Sequence, residues 1–353
     1  MKILISGVCG FVGSQIARHI LESHEGTMII GLDNLIRPGS EMNRLALKQA
    51  GVQFVHADIR MASDLDSLRS VDWVVDAAAQ PSVLAGRDGK TSTRQLIEHN
   101  LLGSVNLLEY CRASQAGLIL LSTSRVYSIP ALSRLPLIVE ESAYTLDRER
   151  PWPAAVSSYG VTEDFSTEAP ISFYGATKLA SERLAQEYAA AFQLPVWINR
   201  CGVLAGAGQF GTAEQGIFSY WLHAHEARRP LKYIGFGGHG FQVRDALHPQ
   251  DLARIVEFQL RAPGPGRVLN VSGGQPNSIS LAQLTAWCND RFGYHDPIAD
   301  DSDRPYDIPW LVLDSSNALL TTPWKPQIGL FQMLDEIAAH AEANPDWLTW
   351  CRT

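Results

Sequence analysis

The sequence predicts an α/β fold: a doubly wound parallel sheet over the first two hundred residues, followed by a smaller part built differently. Three observations carry this. Short aliphatic runs alternate with stretches of helical periodicity. The runs are apolar throughout rather than every second residue, as expected of strands covered on both faces. The alternation stops after Arg200, where glycines and aromatics take over.

The first run, KILIS, enters the glycine-rich stretch SGVCGFVGS and then the helical VGSQIARHILESH. Gly7, Gly10 and Gly13 stand between strand and helix, with Phe11 and Val12 among them. Glycines there let the backbone approach a pyrophosphate, which the free N–H groups of a helix start attract. This makes the sheet Rossmann-type. The next run, TMIIGLD, ends at Asp33, followed by Asn34. A carboxylate at that place accepts from adenosine ribose hydroxyls and repels a 2′-phosphate, which predicts NAD rather than NADP. VQFVHAD closes on Asp58 and Ile59, candidate adenine contacts. DWVVDAA, GLILLSTS and PVWINRC continue the strands; DLDSLRS, TRQLIEHNLLGSVNLLEYCRAS and YGATKLASERLAQEYAAAF read as helices.

Residues 128–172 form a long polar stretch, and loops of that length are functional or carry structure of their own. Beyond Arg200, AGAGQFG and GFGGHGF mark loops. A helix returns in LHPQDLARIVEFQL, then the run RVLNVSG and the helical SLAQLTAWCNDRF. The expected division is an NAD-binding domain over 1–200, with a return segment near 246–272, and a mostly substrate-binding domain over 201–353.

The chain of 353 residues is 46% hydrophobic with a formal charge of −8 and no basic run, which argues against a nucleic-acid partner. Cys9, Cys111, Cys201, Cys288 and Cys351 show no paired spacing, which suits a reduced, cytoplasmic setting. No run approaches the ~20 apolar residues of a membrane span. The opening MKILISGVCGFVGS reads as strand and turn rather than a signal peptide. In HAHE, His223 and His225 point to different faces of a helix expected to be solvated, with Glu226, and no metal is expected. His239 is a candidate site-lining residue; His248 reads as a helix-entrance residue and Asp251 as an ordinary helix-start residue.

Tyr174 and Lys178 lie four positions apart, on one helix face. An unperturbed tyrosine, with pKa about 10, is almost never ionised at neutral pH. A cation within ~4–6 Å favours the phenolate. Lys178 is therefore expected to lower the Tyr174 pKa so that the phenol acts as a base.

Taken together, SGVCGFVGS, GLDNLIRPGS, HADIR, AAAQ, STSRVY, YGATK, EQG and QVRDALH resemble the extended short-chain dehydrogenase/reductase family of nucleotide-sugar enzymes. The likeness runs over nearly the whole chain and is nearest to epimerases acting on carbon 2 of a CDP-6-deoxyhexose. It implies that Tyr174 is the acid/base, that Thr123 hydrogen-bonds the reacting hydroxyl, and that Lys178 holds the nicotinamide ribose. Ala77, Ala79, Gln80 and Asn100 match cofactor- and substrate-lining positions. Ser124, Arg200, Gln209, Gln215, Arg244 and Arg304 are implied substrate contacts, with Arg244 and Arg304 on the nucleotide end; Arg228 and Arg229 are further candidates for a diphosphate cluster. The implied reaction is transient oxidation of a sugar carbinol, then hydride return to the other face, on a CDP- or UDP-linked substrate. Relatives dimerise through the helices matching NLLGSVNLLEYC and KLASERLAQEYAAAF, so a homodimer is implied.

Departures from the family pattern are Ser128 where glycine is usual, Asp76 where histidine is frequent, and GFGGHGFQVRD in place of a shorter loop. A UDP-sugar 4-epimerase is the next reading. A 4,6-dehydratase fits less well, because those relatives carry Asp-Glu after the catalytic threonine where this chain has Ser124-Arg125. A non-catalytic NAD-binding scaffold is the alternative of another class.

Overall fold

The structure is a computed structural model describing residues 1–87, 89, 91–262 and 264–351. Seven strands form its main sheet: β1 (Lys2–Ser6), β2 (Met28–Asp33), β3 (Gln53–His56), β4 (Trp73–Asp76), β5 (Gly117–Thr123), β6 (Val196–Cys201) and β7 (Pro265–Val271). They lie in the order β7-β6-β5-β4-β1-β2-β3, and every pairing is parallel. The order reverses beside β1, whose neighbours are β2 and β4; a crevice opens at such a point beyond the carboxyl ends of the strands.

Helices cover both faces. On one, Ile16 and Ile20 of α1 (Phe11–Ser23) meet Leu252 and Val256 of the returning helix Pro249–Gln259. On the other, Leu107 and Cys111 of α2 (Gly103–Ser114) and Ala185 of α3 (Ser172–Phe192) pack on Leu118 and Ile198. The continuous apolar strands follow from this double cover.

The segment 128–172 does carry structure of its own: a helical turn, the antiparallel pair Leu137–Glu140 with Ala143–Leu146, and a second short pair. Beyond β6, the strand Val243–Leu247 pairs with Val203–Leu204, Ser278–Ser280 and Trp310–Leu311. Against it pack α4 (Ile217–Glu226), α5 (Leu281–Phe292) and α6 (Leu330–Ala343), through Phe218, Trp221, Leu284 and Leu334.

Three expectations are corrected here. The HAHE helix is buried rather than solvated, because α4 lies against both α5 and α6: His223 Nε2 meets His340 Nδ1 at 3.0 Å and His225 Nε2 meets Asn289 Oδ1 at 3.0 Å. Burial pushes the His223 pKa down to about 4. Asp251 is a buried hub whose carboxylate accepts the N–H groups of Gln327 (2.9 Å) and Ile328 (3.0 Å), tying distant chain to its helix. His239 stacks on Phe241 with centroids 5.2 Å apart and does not line the large cavity described below. His248 does stand at a helix entrance, where its ring accepts from the N–H of Gln250 (3.2 Å). All five cysteines are buried and, among the described residues, none is in a disulfide and no helix is long and apolar enough to cross a membrane.

Candidate active site

The turn from β1 into α1 is built for close approach. Gly7 has φ +64°, and a Cβ on Gly13 would lie 2.3 Å from the Gly7 carbonyl oxygen. The first turn of α1 is therefore seated directly on the loop, which holds the Gly10 N–H on the Gly7 carbonyl at 3.0 Å. Asp33, ending β2, braces this loop: its carboxylate accepts from Cys9 N–H (2.9 Å) and Leu35 N–H (2.8 Å). Asn34 donates to Asp58 (3.0 Å). Against the effect of burial, hydrogen bonds from Arg60 and Asn34 hold the Asp58 carboxyl well below the usual range.

Behind the next wall, Asp76 accepts from the hydroxyls of Ser6 and Ser104, both at 2.8 Å. Ser6 Oγ in turn accepts the N–H groups of Ala77 and Ala78 (3.2 and 3.1 Å). A carboxylate in place of histidine thus fixes the stretch 77–80 from inside. Asn100 sits on a π-helical turn, Glu98–Leu102. It takes the Gln80 N–H (2.8 Å) and donates to the Gln80 carbonyl (3.1 Å), so it supports the wall rather than lining the cavity.

The reacting end joins β5 to α3. Thr123 Oγ1 accepts the N–H of Arg125 at 3.2 Å. Tyr174 is buried beside it, and burial pushes its phenol up to about 12, against the opposing pull of Thr123 and Arg125. This corrects the expected lowering by Lys178. Lys178 is only 2% exposed and is not among the lining residues of the cavity described next; its charge bears on Cys201, and desolvation is the largest influence on the phenol.

One cavity of about 1020 Å³ joins these parts. Gly7, Gly10, Phe11, Val12, Gly13, Asp33, Asn34, Asp58, Ile59, Ala77, Ala79 and Gln80 line it, together with Thr123, Ser124 and Tyr174. From the C-terminal part come Gln209, Gln215, Arg244 and Arg304. Arg244 is held by the Asp307 carboxylate (3.1 Å) and the Ile308 carbonyl (2.7 Å), and Arg304 reaches the Ala213 carbonyl (3.2 Å).

Arg200 is not among the lining residues. It is 4% exposed, forms a 2.8 Å ion pair with Glu182 of α3, and its guanidinium lies 5.1 Å from the Tyr127 ring centroid. A cation on an interior strand needs a buried counter-charge, and α3 supplies it. Arg228 and Arg229 are also elsewhere: Arg228 binds the carbonyls of Phe292, Gly293 and Tyr294 at the end of α5, and Arg229 reaches Thr349.

Sequence reasoning passed over Arg37, Ser40, Arg125, Tyr306 and Asp307, all of which line the cavity. Arg37 and Ser40 lie in the stretch after Asp33, which was itself a signal. Arg37 bonds Gln215 and the Phe210 carbonyl, joining the β2 loop to the C-terminal part.

The residues present fit a dinucleotide. The Gly7–Gly13 seat leaves no room for a side chain, Asp33 and Asp58 face the same space, and Ser40 Oγ and Gln209 Oε1 line it without a hydrogen-bond partner. When bound, NAD supplies the hydride acceptor and donor and a positive charge.

Comparison with known proteins agrees. The NAD dependent epimerase/dehydratase family matches residues 3–272. The CDP-paratose 2-epimerase of Salmonella typhi is 29% identical, over 93% of this chain and 95% of its own. A double mutant of the dTDP-glucose 4,6-dehydratase of Streptomyces venezuelae, solved with NAD, shares the fold at a TM-score of 0.82 and 24% identity, covering 100% of both chains. A mutant UDP-glucuronic acid 4-epimerase of Bacillus cereus, solved with a fluorinated UDP-glucuronic acid and NAD, gives 0.78 at 23% identity, over 97% and 99% of the two chains. With more than half its length matched and the dinucleotide seat in place, the chain belongs to the NAD dependent epimerase/dehydratase family and is an enzyme that uses NAD.

Proposed function

We propose that the protein is a nucleotide-sugar epimerase that oxidises one sugar carbinol and returns the hydride to the opposite face, acting on carbon 2 of a CDP-6-deoxyhexose. The observation that carries this reading is a single cavity holding the Thr123–Tyr174 pair together with Arg244 and Arg304. The positive charge of bound NAD would favour the phenolate against the effect of burial; in that form Tyr174 takes the hydroxyl proton and gives it back, and Thr123 orients that hydroxyl. Lys178, one turn on from Tyr174 and close enough for its charge to act on the cavity-lining Cys201, is assigned to the cofactor ribose. Arg244 and Arg304 bind the diphosphate, for which the planar guanidinium fork is suited.

The dehydratase reading is disfavoured because Ser124 and Arg125 follow Thr123, so no carboxylate stands there to eliminate water. A UDP-sugar 4-epimerase is the second reading, supported by the fold shared with the Bacillus cereus 4-epimerase. We read residues 1–200 with 246–272 as the cofactor domain and the remainder as the substrate domain. A cytoplasmic homodimer suits the five cysteines outside disulfides and the exposed Leu102, Phe173 and Phe192 near the proposed helix pair.

The test is a thermal-shift screen of CDP-, UDP-, GDP- and dTDP-sugars, with product analysis of each hit. Stabilisation by a CDP-sugar and formation of its 2-epimer is the expected result. Stabilisation by none of the four classes would remove the nucleotide-sugar reading.

A further inference from the structure

Arg125 connects the two ends of the cavity. Its backbone N–H donates to Thr123 Oγ1 (3.2 Å). Its carbonyl oxygen lies so close to α3 that a Cβ on Gly175, the neighbour of Tyr174, would stand 2.3 Å away. The far end of its side chain, Nη2, donates to the carbonyl of Tyr306. Tyr306 belongs to the turn that carries Arg304 and Asp307, and Asp307 is the carboxylate that accepts from Arg244. The turn is itself braced: Tyr306 has φ +61°, and the Arg87 guanidinium lies 5.4 Å from its ring centroid.

One cationic side chain therefore runs from the Thr123–Tyr174 pair to the two arginines assigned to the diphosphate, and all five residues line the cavity. Among the described residues no carboxylate pairs with it; Asp307 is engaged by Arg244. Burial and the charges of Arg244 and Arg304 push its pKa down to about 10, against the opposing charge of Asp307, which leaves it protonated at neutral pH. A partly buried guanidinium facing a cavity, whose nearest carboxylate, Asp307, is already paired with Arg244, favours an anion there.

The anion expected is a phosphate. In a nucleotide sugar, three bonds separate carbon 2 from the phosphorus on the anomeric oxygen, and five separate carbon 4 from it. The gap is at most about 4 Å in the first case and about 5.5 Å in the second. A phosphate-binding cation whose charge is felt by the catalytic phenol suits the shorter gap.

We propose that Arg125 is a specificity-determining residue that binds the phosphate on the anomeric carbon and thereby presents carbon 2, not carbon 4, to Tyr174. The assignment rests on the epimerase reading. It adds to Arg244 and Arg304 a third cation, placed at the sugar-linked phosphate.

Calorimetry of the full-length, NAD-loaded protein with CDP, UDP, CMP and UMP tests it. The unmutated protein is expected to bind the diphosphate of one base more tightly than its monophosphate. Arg125→Met is expected to lose tenfold or more of the diphosphate affinity, with monophosphate and NAD affinities within twofold of the original. Arg125→Gln is measured alongside and serves where the methionine variant fails to melt cooperatively. Undiminished diphosphate binding by a folded variant overturns the assignment and leaves the epimerase reading standing. Binding of none of the four nucleotides by the unmutated protein overturns both. Product analysis by NMR gives an independent arm: inversion at carbon 2 is expected, and inversion at carbon 4 overturns the assignment.

Discussion

Glu182 and Arg200 face each other inside the protein at 2.8 Å, and the Arg200 Nε also lies 3.1 and 3.2 Å from the two carboxylate oxygens. Removing one partner strands the other charge in the interior, which costs about 3–5 kcal/mol. Glu182→Ala is therefore expected to lower the melting temperature strongly, while the molecules still folded keep the substrate KM. A rise in KM at unchanged stability would return Arg200 to the substrate.

Gly175→Ala drives a methyl group against the Arg125 carbonyl and pushes α3 away from β5. Tyr174 then shifts relative to Thr123, and a misplacement near 1 Å costs roughly 100-fold in rate. The expected outcome is a large fall in kcat with NAD affinity retained, read by steady-state kinetics and cofactor titration. An unchanged kcat would mean that this contact does not position the phenol.

Asp33→Ala removes the acceptor for two loop N–H groups and the charge that repels a 2′-phosphate. NAD affinity is expected to fall about tenfold, in line with the loss of one hydrogen bond at a charged group, and the preference over NADP to narrow. Equal affinities for NAD and NADP in the unmutated protein would contradict the role given to this carboxylate.

Asp245, 1% exposed, is pushed up by burial to about 6 against the opposing hydrogen bonds from Leu313 N–H and Ser272. The folded protein thus holds this proton more tightly than the unfolded chain, whose value is the ordinary 3.8. Its stabilising contribution is complete below about pH 4 and is lost as pH rises through about 6, on the order of 3 kcal/mol in all. Asp245→Asn lacks this loss, so its stability relative to the unmutated protein should improve from about pH 4 to about pH 7. A constant difference in denaturant midpoints across that range would contradict the assignment.

The sheet and the cofactor half of the site were legible because they rest on local signals. The Gly7–Gly13 spacing, the placement of Asp33 and the unbroken apolar strands each depend on residues near in sequence. Arg200 was misread for the opposite reason: its partner Glu182 lies on a helix before its own strand, and nothing in NRCG reveals it. Burial of His223 and His225 depends on α5 and α6, from far along the chain. Arg125 gains its meaning only when the turn at 304–307 closes on it, and the raised phenol of Tyr174 reflects surrounding bulk that Lys178 spacing does not report.

Turnover of the accepted nucleotide sugar in heavy water tests the central claim, hydride removal and return on one cofactor. On that claim the hydride that leaves carbon comes back to carbon, while only exchangeable hydroxyl protons pass through Tyr174. The product is expected to carry no carbon-bound deuterium by mass spectrometry, and no NADH absorbance should accumulate. A mass gain of one at a carbon-bound position would contradict hydride return, and growing NADH would reveal a simple dehydrogenase instead.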